Sequence, residues 1–151
     1  MNFFTRLSLL TGALVLSAAG LAQDTATERE FITVPQMAAL NLPFADAVKV
    51  GNTLYISGRG GLDFETMKPP EDAREEAVLL MEDFKSVLEA SGMTMADLVS
   101  VTIYCPDVSL YGTFNEVYRS YFEDNFPARA FIGSGELLFG MRFEMKGIAV
   151  K

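Results

Sequence analysis

The hydrophobic positions of this chain recur with period two in four segments, which together predict five β-strands. Residues 47–58 (AVKVGNTLYISG) hold two short apolar runs around the turn dipeptide Gly51-Asn52, and this pattern is typical of a β-hairpin. Residues 98–105 (LVSVTIYC) alternate strictly and predict a half-buried strand. Its predicted core face carries Val99, Val101, Ile103 and Cys105. The segments RAFIG (129–133) and MRFEMKGIAV (141–150) predict the last two strands.

Two other segments repeat with helical spacing. In residues 71–90 the apolar positions are Ala73, Ala77, Met81, Phe84 and Leu88. Acids are enriched in the first turn of this segment and Gly92 follows its end, both of which favour a helix there. Residues 109–122 (SLYGTFNEVYRSYF) predict the second helix, in which Asn115 and Tyr118 are interpreted as packing or capping residues.

The predicted order is ββαβαββ, preceded by a loose polar lead-in over residues 23–34. Two helices can cover only one face of a mixed sheet, so the chain is predicted to be an α+β protein. The other face of that sheet needs cover, and a subunit partner is the obvious candidate.

The first 22 residues are predicted to be a signal peptide. Arg6 precedes a mostly apolar run from Leu7 to about Ala19, and small residues stand at the −3 and −1 positions of a cut before Gln23. The alternative is an uncleaved membrane anchor, but the run is shorter than the roughly 20 residues that a spanning helix needs. The prediction is therefore a single exported domain, residues 23–151, periplasmic or secreted, with no stable membrane anchor after cleavage.

The composition excludes several classes of function. The full chain has a net charge of −8, and removal of the signal, which contains Arg6 and no acid, makes it −9. Such a charge repels phosphate backbones, and no cluster of Lys and Arg offsets it, so no nucleic-acid partner is predicted. The absence of His removes Ser-His-Asp and Cys-His nucleophiles and histidine metal sites, and the single Cys105 allows no internal disulfide. No metal or cofactor is predicted, and any catalysis must use carboxylates, Arg, Lys, Tyr, Ser or backbone groups.

One cation stands out, Arg129, at the mouth of the apolar segment FPARAFIGSG (126–135). An arginine in that position must either stay in solvent or find an anion, because an unpaired buried charge is costly. The residues alone leave both alternatives open.

Four segments in the right order resemble the RidA/YjgF family of small imine deaminases. They are GNTLYISG in the second strand, PDVSLYGTFNEVYRSYF in the second helix, FPAR before the next strand and FEMKGIAV at the end. The resemblance runs from about Leu42 to Lys151. It implies a chorismate-mutase-like fold and a homotrimer with active sites in clefts between subunits. It also implies hydrolysis of 2-imino acids, or their enamine tautomers, to 2-keto acids and ammonia.

The same resemblance assigns roles to particular residues. Arg129 would bind the substrate carboxylate, since a guanidinium binds a carboxylate bidentately. Glu144 would orient the attacking water and accept its proton. Ser57 and Gly58 would contact the substrate. The structural alternatives are an Arg129–Glu144 pair or a subunit contact, and for Ser57 a strand hydroxyl satisfied by the backbone.

Three positions depart from the family pattern, in which the corresponding residues are Tyr, Cys and the segment GQIP. Phe44 lacks the tyrosine hydroxyl but keeps an apolar wall, and Phe131 brings a larger ring that can narrow the pocket. The loop GRGG adds Arg59, which is either solvated or extends specificity to a second anionic group. These changes keep a second function open, a non-catalytic trimeric protein that binds small carboxylates in the same cleft.

Overall fold

The computed structural model describes residues 28–151, which form a six-stranded sheet with two long helices packed on one face. The strands are β1 (Arg29–Ile32), β2 (Ala47–Val50), β3 (Thr53–Gly60), β4 (Leu98–Cys105), β5 (Ala128–Gly133) and β6 (Glu144–Val150). The helices are α1 (Pro35–Ala38), α2 (Ala73–Ala90) and α3 (Tyr111–Arg119). The predicted signal peptide, residues 1–22, lies outside the described residues.

The strands lie in the order β1-β2-β3-β6-β4-β5, and only β4 and β5 run parallel. The α+β class and the mixed sheet are confirmed, and the predicted order ββαβαββ is confirmed from residue 47 onward, while α1 was not predicted. The predicted loose lead-in is wrong at residues 29–32, which form edge strand β1 paired to β2. That strand forms because Ile32 and the following Val34 are buried, while its other side chains stay exposed.

Helix α2 supplies more of the core than helix α3 does. The side chain of Asp72 caps its N-terminus by accepting from the amides of Arg74 and Glu75, and Gly92, at φ 75°, ends it as predicted. The apolar side chains of α2 that are buried are Ala77, Leu80, Met81, Phe84, Val87 and Leu88. Phe84 reaches the sheet at Gly147, where a Cβ would lie 3.0 Å from the ring. The helix therefore sits close to β6, the strand that begins with Glu144.

Two strands each contain a β-bulge, which changes the side chains that face the core. In β4, Leu98 faces Ala149 and Ser100 faces Ile148, so Val99 has no partner across the ladder. Val99 is 47% exposed and Leu98 is buried instead, so the prediction that Val99 belongs to the core is wrong. In β3, Ile56 faces Gly147 and Arg59 faces Met145, which places Ser57 and Gly58 in a second bulge.

The face of the sheet opposite α2 and α3 carries mixed polar and apolar side chains. Tyr55, Thr102, Tyr104, Lys146 and Ile148 point to this face, and Tyr55 is half exposed. Neither of the two long helices covers it, so the face that the sequence predicted to need cover is open within one chain. Within residues 28–151, no helix combines the length and the hydropathy required to cross a membrane.

Candidate active site

Arg129 projects from β5 toward helix α3. Its guanidinium carbon lies 4.7 Å from the ring centroid of Tyr118 and 5.6 Å from that of Tyr111, and Nη2 donates to the Tyr111 hydroxyl at 3.3 Å. The two rings hold the cation through its attraction to their faces. Arg129 is half-buried, yet it makes no salt bridge with any acid in the part of the chain that the structure describes. The guanidinium of Arg129 is thus held in a fixed position, and no acidic side chain of the described residues neutralises its charge.

A cavity of about 210 Å³ opens beside Arg129. The other residues that line it are Tyr111, Asn115, Tyr118, Arg119, Phe126 and Pro127. Two arginines and no carboxylate face this space, so its field favours an anion. Asn115 and Tyr118, interpreted from sequence as packing or capping residues, also belong to its wall.

The two tyrosines that hold Arg129 differ in their surroundings. The Tyr118 hydroxyl is buried and has no hydrogen-bond partner in the described structure. Burial raises the pKa of Tyr118 to about 12, against the opposing charge of Arg129. For Tyr111, a hydrogen bond with Asn115 and the charge of Arg129 lower the pKa of the phenol. The two shifts act in opposite directions: burial favours the neutral phenol of Tyr118, whereas the hydrogen bond with Asn115 and the charge of Arg129 favour the ionised form of Tyr111.

The raised pKa of Tyr118 predicts a loss of stability in base. The unfolded chain releases this proton near its ordinary value of 10, before the folded protein does near 12, so stability falls as the pH rises between these values. Tyr118→Phe should therefore reduce the loss of unfolding free energy between pH 9 and 12 by about 2 kcal/mol. Urea unfolding of both proteins at the two pH values measures this, and equal losses would contradict the assignment.

Glu144, the first residue of β6, is half-buried above the bulge in β3. A Cβ on Gly58 would overlap the Oε1 atom of Glu144, so only glycine lets the carboxylate lie there. Ser57 donates from its hydroxyl to the carbonyl of Ala45 at 2.7 Å, and its amide donates to the carbonyl of Asp46. The hydroxyl of Ser57 is therefore hydrogen-bonded to the backbone, as the structural alternative predicts, and Ser57 lies next to Gly58.

Glu76 of α2 fixes the chain just before Glu144. Its Oε1 accepts from the amides of Arg142 at 2.6 Å and Phe143 at 3.0 Å, and its Oε2 accepts from the Arg142 guanidinium at 2.6 Å. Glu76 is fully buried and also packs against Gly61, where a Cβ would overlap its carbonyl oxygen. Sequence reasoning missed Glu76 because it counts among the acids that commonly stabilise the first turn of a helix.

Arg129 and Glu144 lie on opposite faces of the sheet within one chain. Arg129 is in register with Val101 of β4, and Glu144 is in register with Tyr104. Because Val101 and Tyr104 are three residues apart on one strand, their side chains point to opposite faces. The alternative of a direct Arg129–Glu144 pair within a chain is therefore excluded. Residues 28–151 also contain no group of three or more Asp, Glu or Cys side chains arranged to hold a metal ion.

A second cavity, of about 220 Å³, adjoins Glu144. Phe44, Gly58 and Arg59 line it together with apolar side chains from three loops. Phe131 does not line it, since its ring packs against Tyr111 at 5.1 Å and Phe114 at 5.7 Å between centroids. Of the positions that depart from the family pattern, Phe44 thus lies near Glu144, and Phe131 lies on the side of Arg129.

Arg59 is 3% exposed, so its predicted solvated alternative is wrong. Its guanidinium donates from Nε and Nη2 to Asp83 and from Nη1 to Asp46. Burial alone would lower the pKa of Arg59, but the hydrogen bonds and charges of the two carboxylates outweigh it and raise the pKa. Its side chain points inward because the bulge at Ser57 and Gly58 reverses the alternation of β3.

The topology and the placement of Arg129 and Glu144 make this chain a small α+β domain with candidate site residues on both faces of one sheet. Comparison with known proteins assigns the domain to a family. The model of the Endoribonuclease L-PSP family matches residues 36–151. The chain belongs to this family, which includes the YjgF/RidA proteins.

Individual relatives agree with this assignment. The chain is 37% identical over 109 residues to the 2-iminobutanoate/2-iminopropanoate deaminase of Dermatophagoides farinae, covering 72% of this chain and 85% of that protein. The crystal structure of RidA from an Antarctic Psychrobacter matches with a TM-score of 0.69 and 34% identity over 74% of this chain and 90% of the other. Escherichia coli TdcF with bound serine matches with a TM-score of 0.69 and 26% identity, over 73% and 89% of the two chains.

Proposed function

We propose that this protein hydrolyses 2-imino acids to 2-keto acids and ammonia. The observation that carries the proposal is the half-buried guanidinium of Arg129, held over two tyrosine rings beside an open cavity and paired with no described acid. A guanidinium fork of this kind binds a free carboxylate through two parallel hydrogen bonds. The deaminase names of relatives at about 35% identity and the serine bound to TdcF support this interpretation.

The chemistry needs only the groups present in the chain. Arg129 binds the substrate carboxylate and fixes the orientation of the imine carbon, C2. Glu144 accepts a hydrogen bond from a water molecule and takes its proton as the oxygen bonds to C2. The proton passes to nitrogen, the C–N bond breaks and ammonia leaves, while the oxygen forms the new carbonyl. The sum is R–C(=NH)–COO⁻ plus H₂O giving R–C(=O)–COO⁻ plus NH₃.

Completion of this site requires a second subunit. Since Arg129 and Glu144 point to opposite faces of the sheet in one chain, the reacting pair consists of Arg129 from one subunit and Glu144 from its neighbour. A homotrimer with clefts between subunits meets this requirement and covers the uncovered sheet face. Light scattering on residues 23–151 tests the stoichiometry, and a monomer that retains full activity would contradict the composite site.

The proposed setting is outside the cytoplasm. Residues 1–22 have the composition of a secretory signal, and their removal leaves the domain that contains the whole proposed site. We propose that the mature protein is periplasmic or secreted. Fractionation of cells that produce the full chain, with N-terminal sequencing of the product, tests both export and the cut before Gln23.

Glu144→Gln separates catalysis from binding. The amide keeps the shape of the carboxylate but cannot accept the proton of water, so we expect kcat to fall by about 10²–10⁴-fold. The affinity for a 2-keto acid, measured by calorimetry, should change little because Arg129 remains. Glu116→Gln, an exposed residue paired with Arg74, serves as the control with the same change of charge.

The second candidate, a carboxylate-binding protein without turnover, makes a different prediction for the same measurements. The wild-type protein would then bind 2-keto acids but give no rate above the uncatalysed hydrolysis of the imine. Ribonuclease activity, which the family's name mentions, is disfavoured by the charge of −8 and by the absence of His, the usual base in such chemistry.

A further inference from the structure

The cavity beside Glu144 has an apolar wall built by three separate loops. Segments 40–44, 62–67 and 138–141 contribute to it, and Glu144 with Gly58 stands at one side. A substrate carbon atom that is attacked by a water molecule bound to Glu144 therefore lies next to this wall. The nature of the wall decides which substituent on that carbon is accepted.

Several of these side chains are unusually exposed for their size. Within the chain, Leu138 is 73% exposed, Phe139 is 57% exposed and Phe44 is 52% exposed. Leu40 and Leu42 are also exposed. A contiguous patch of large apolar side chains around a cavity is typical of a surface that binds something apolar.

The backbone holds two of these side chains in place at a cost. Met67 has φ 56° and Phe139 has φ 59°, in the left-handed region that bulky residues rarely adopt. In the part of the chain that the structure describes, Asn41 is the third non-glycine residue of this kind, and it tolerates that conformation better. Strain of this sort concentrates at functional sites, and here both bulky residues lie on the same wall.

The charges around this cavity disfavour an acidic substituent. Arg59 touches the cavity, but its guanidinium is already bonded to Asp46 and Asp83. These three groups with Glu144 have a formal charge of −2. The structure therefore gives no support to the prediction that Arg59 extends specificity to a second anionic group, since such a group would meet net repulsion and a guanidinium with two partners.

We propose that this cavity binds the side chain of the substrate and that the protein prefers 2-imino acids with branched aliphatic or aromatic side chains. The inference rests on the proposed function, because it places the carboxylate on Arg129 of the neighbouring subunit and C2 beside Glu144. The preferred substrates are then imines of the leucine and phenylalanine type. Imines of the alanine type leave the apolar wall in contact with water, and those of the glutamate type bring a charge to it.

The test compares imino acids made in situ from alanine, leucine, phenylalanine and glutamate by matching amino-acid oxidases. Three more buried carbons separate the leucine from the alanine side chain, so kcat/KM should be about 10- to 100-fold higher for the leucine imine. Leu138→Ala combined with Phe139→Ala should reduce this ratio to a few-fold, because it removes the apolar contacts that only the larger side chain makes. Phe31→Ala, which removes an exposed ring on β1 away from the cavity, is the matched control.

Binding of the stable keto acids gives an independent readout. Calorimetry should show tighter binding of 4-methyl-2-oxopentanoate than of pyruvate, and the double variant should abolish the difference. The inference is overturned if the alanine or glutamate imine is turned over as fast as the leucine imine, or if the preference survives in the double variant. It is also overturned if the double variant changes the oligomeric mass, because the patch is then an interface between copies.

Failure of the proposed function gives a different pattern. If no imine is hydrolysed faster than in buffer, but 4-methyl-2-oxopentanoate binds more tightly than pyruvate, the cavity has the proposed preference and the deaminase function is wrong. If neither turnover nor binding is seen, both proposals fail together. If small imines alone are turned over, the deaminase function stands and the apolar preference is wrong.

Discussion

Arg129→Ala is expected to lower kcat/KM for imine hydrolysis by about a hundredfold to ten-thousandfold. The substitution removes two charge-assisted hydrogen bonds to the substrate carboxylate, each contributing about 1.5–3 kcal/mol. Arg129→Lys keeps the charge but loses the planar fork, so its activity should lie between those of alanine and wild type. The measurement is imine loss in the presence of an amino-acid oxidase, with and without each variant.

The control for this experiment is Arg74→Ala. Arg74 is an exposed arginine paired with Glu116, so its removal makes the same change of net charge away from both cavities. Arg129→Ala must also keep the wild-type oligomeric mass, since a loss of assembly would lower activity indirectly. A folded Arg129→Ala protein of unchanged mass and unchanged kcat/KM would show that Arg129 does not bind the substrate.

Arg59→Met is expected to give the largest loss of stability of any single substitution considered. It leaves Asp46 and Asp83 buried without a cation, a situation that costs about 3–5 kcal/mol. The comparable change at the surface, Arg74→Met, breaks an exposed ion pair and should cost less than about 1 kcal/mol. Urea denaturation of the two variants measures the contrast directly.

A third variant keeps the Arg59 prediction testable if Arg59→Met does not fold. Arg59→Met combined with Asp46→Asn and Asp83→Leu removes all three charges. The amide of Val34 donates to the Asp46 carboxylate at 2.8 Å, and the Asp46→Asn change keeps a side-chain oxygen to accept that bond. This neutral variant should recover much of the lost stability. Equal stability of Arg59→Met and the wild type would mean that the buried cluster contributes nothing.

The periodic parts of the fold could be predicted because one face of each element is buried. Phe84 and Ile103 follow the helical and alternating patterns of their segments, and both are fully buried as predicted. The patterns fail where a bulge inserts one residue. Val99 moves to the surface and Arg59 to the interior for this reason. The bulge in β4 has no signal in the local sequence, whereas the bulge in β3 contains Gly58, and a glycine within a strand pattern indicates a bulge.

The resemblance names candidate site residues but says nothing of how one chain arranges them. Arg129 and Glu144 are candidates through the resemblance alone, and their placement on opposite faces follows from the registers of β5 and β6 on β4, which pair distant segments. The partners of Arg59 lie 13 and 24 residues away along the chain. The left-handed backbone at Phe139 also has no signal in the sequence, because glycine or asparagine is the usual residue there.

The contact between Glu76 and residues 142–143 has a consequence for how this protein can change. These hydrogen bonds attach the chain just before β6 to helix α2. Residues 142 and 143 are therefore held in place between the turn at 138–141 and Glu144. Mutations, insertions and deletions in that turn can alter the cavity wall while the glutamate keeps its place. Descendants of this gene, or a designed library confined to the turn, can therefore reshape the cavity without displacing Glu144.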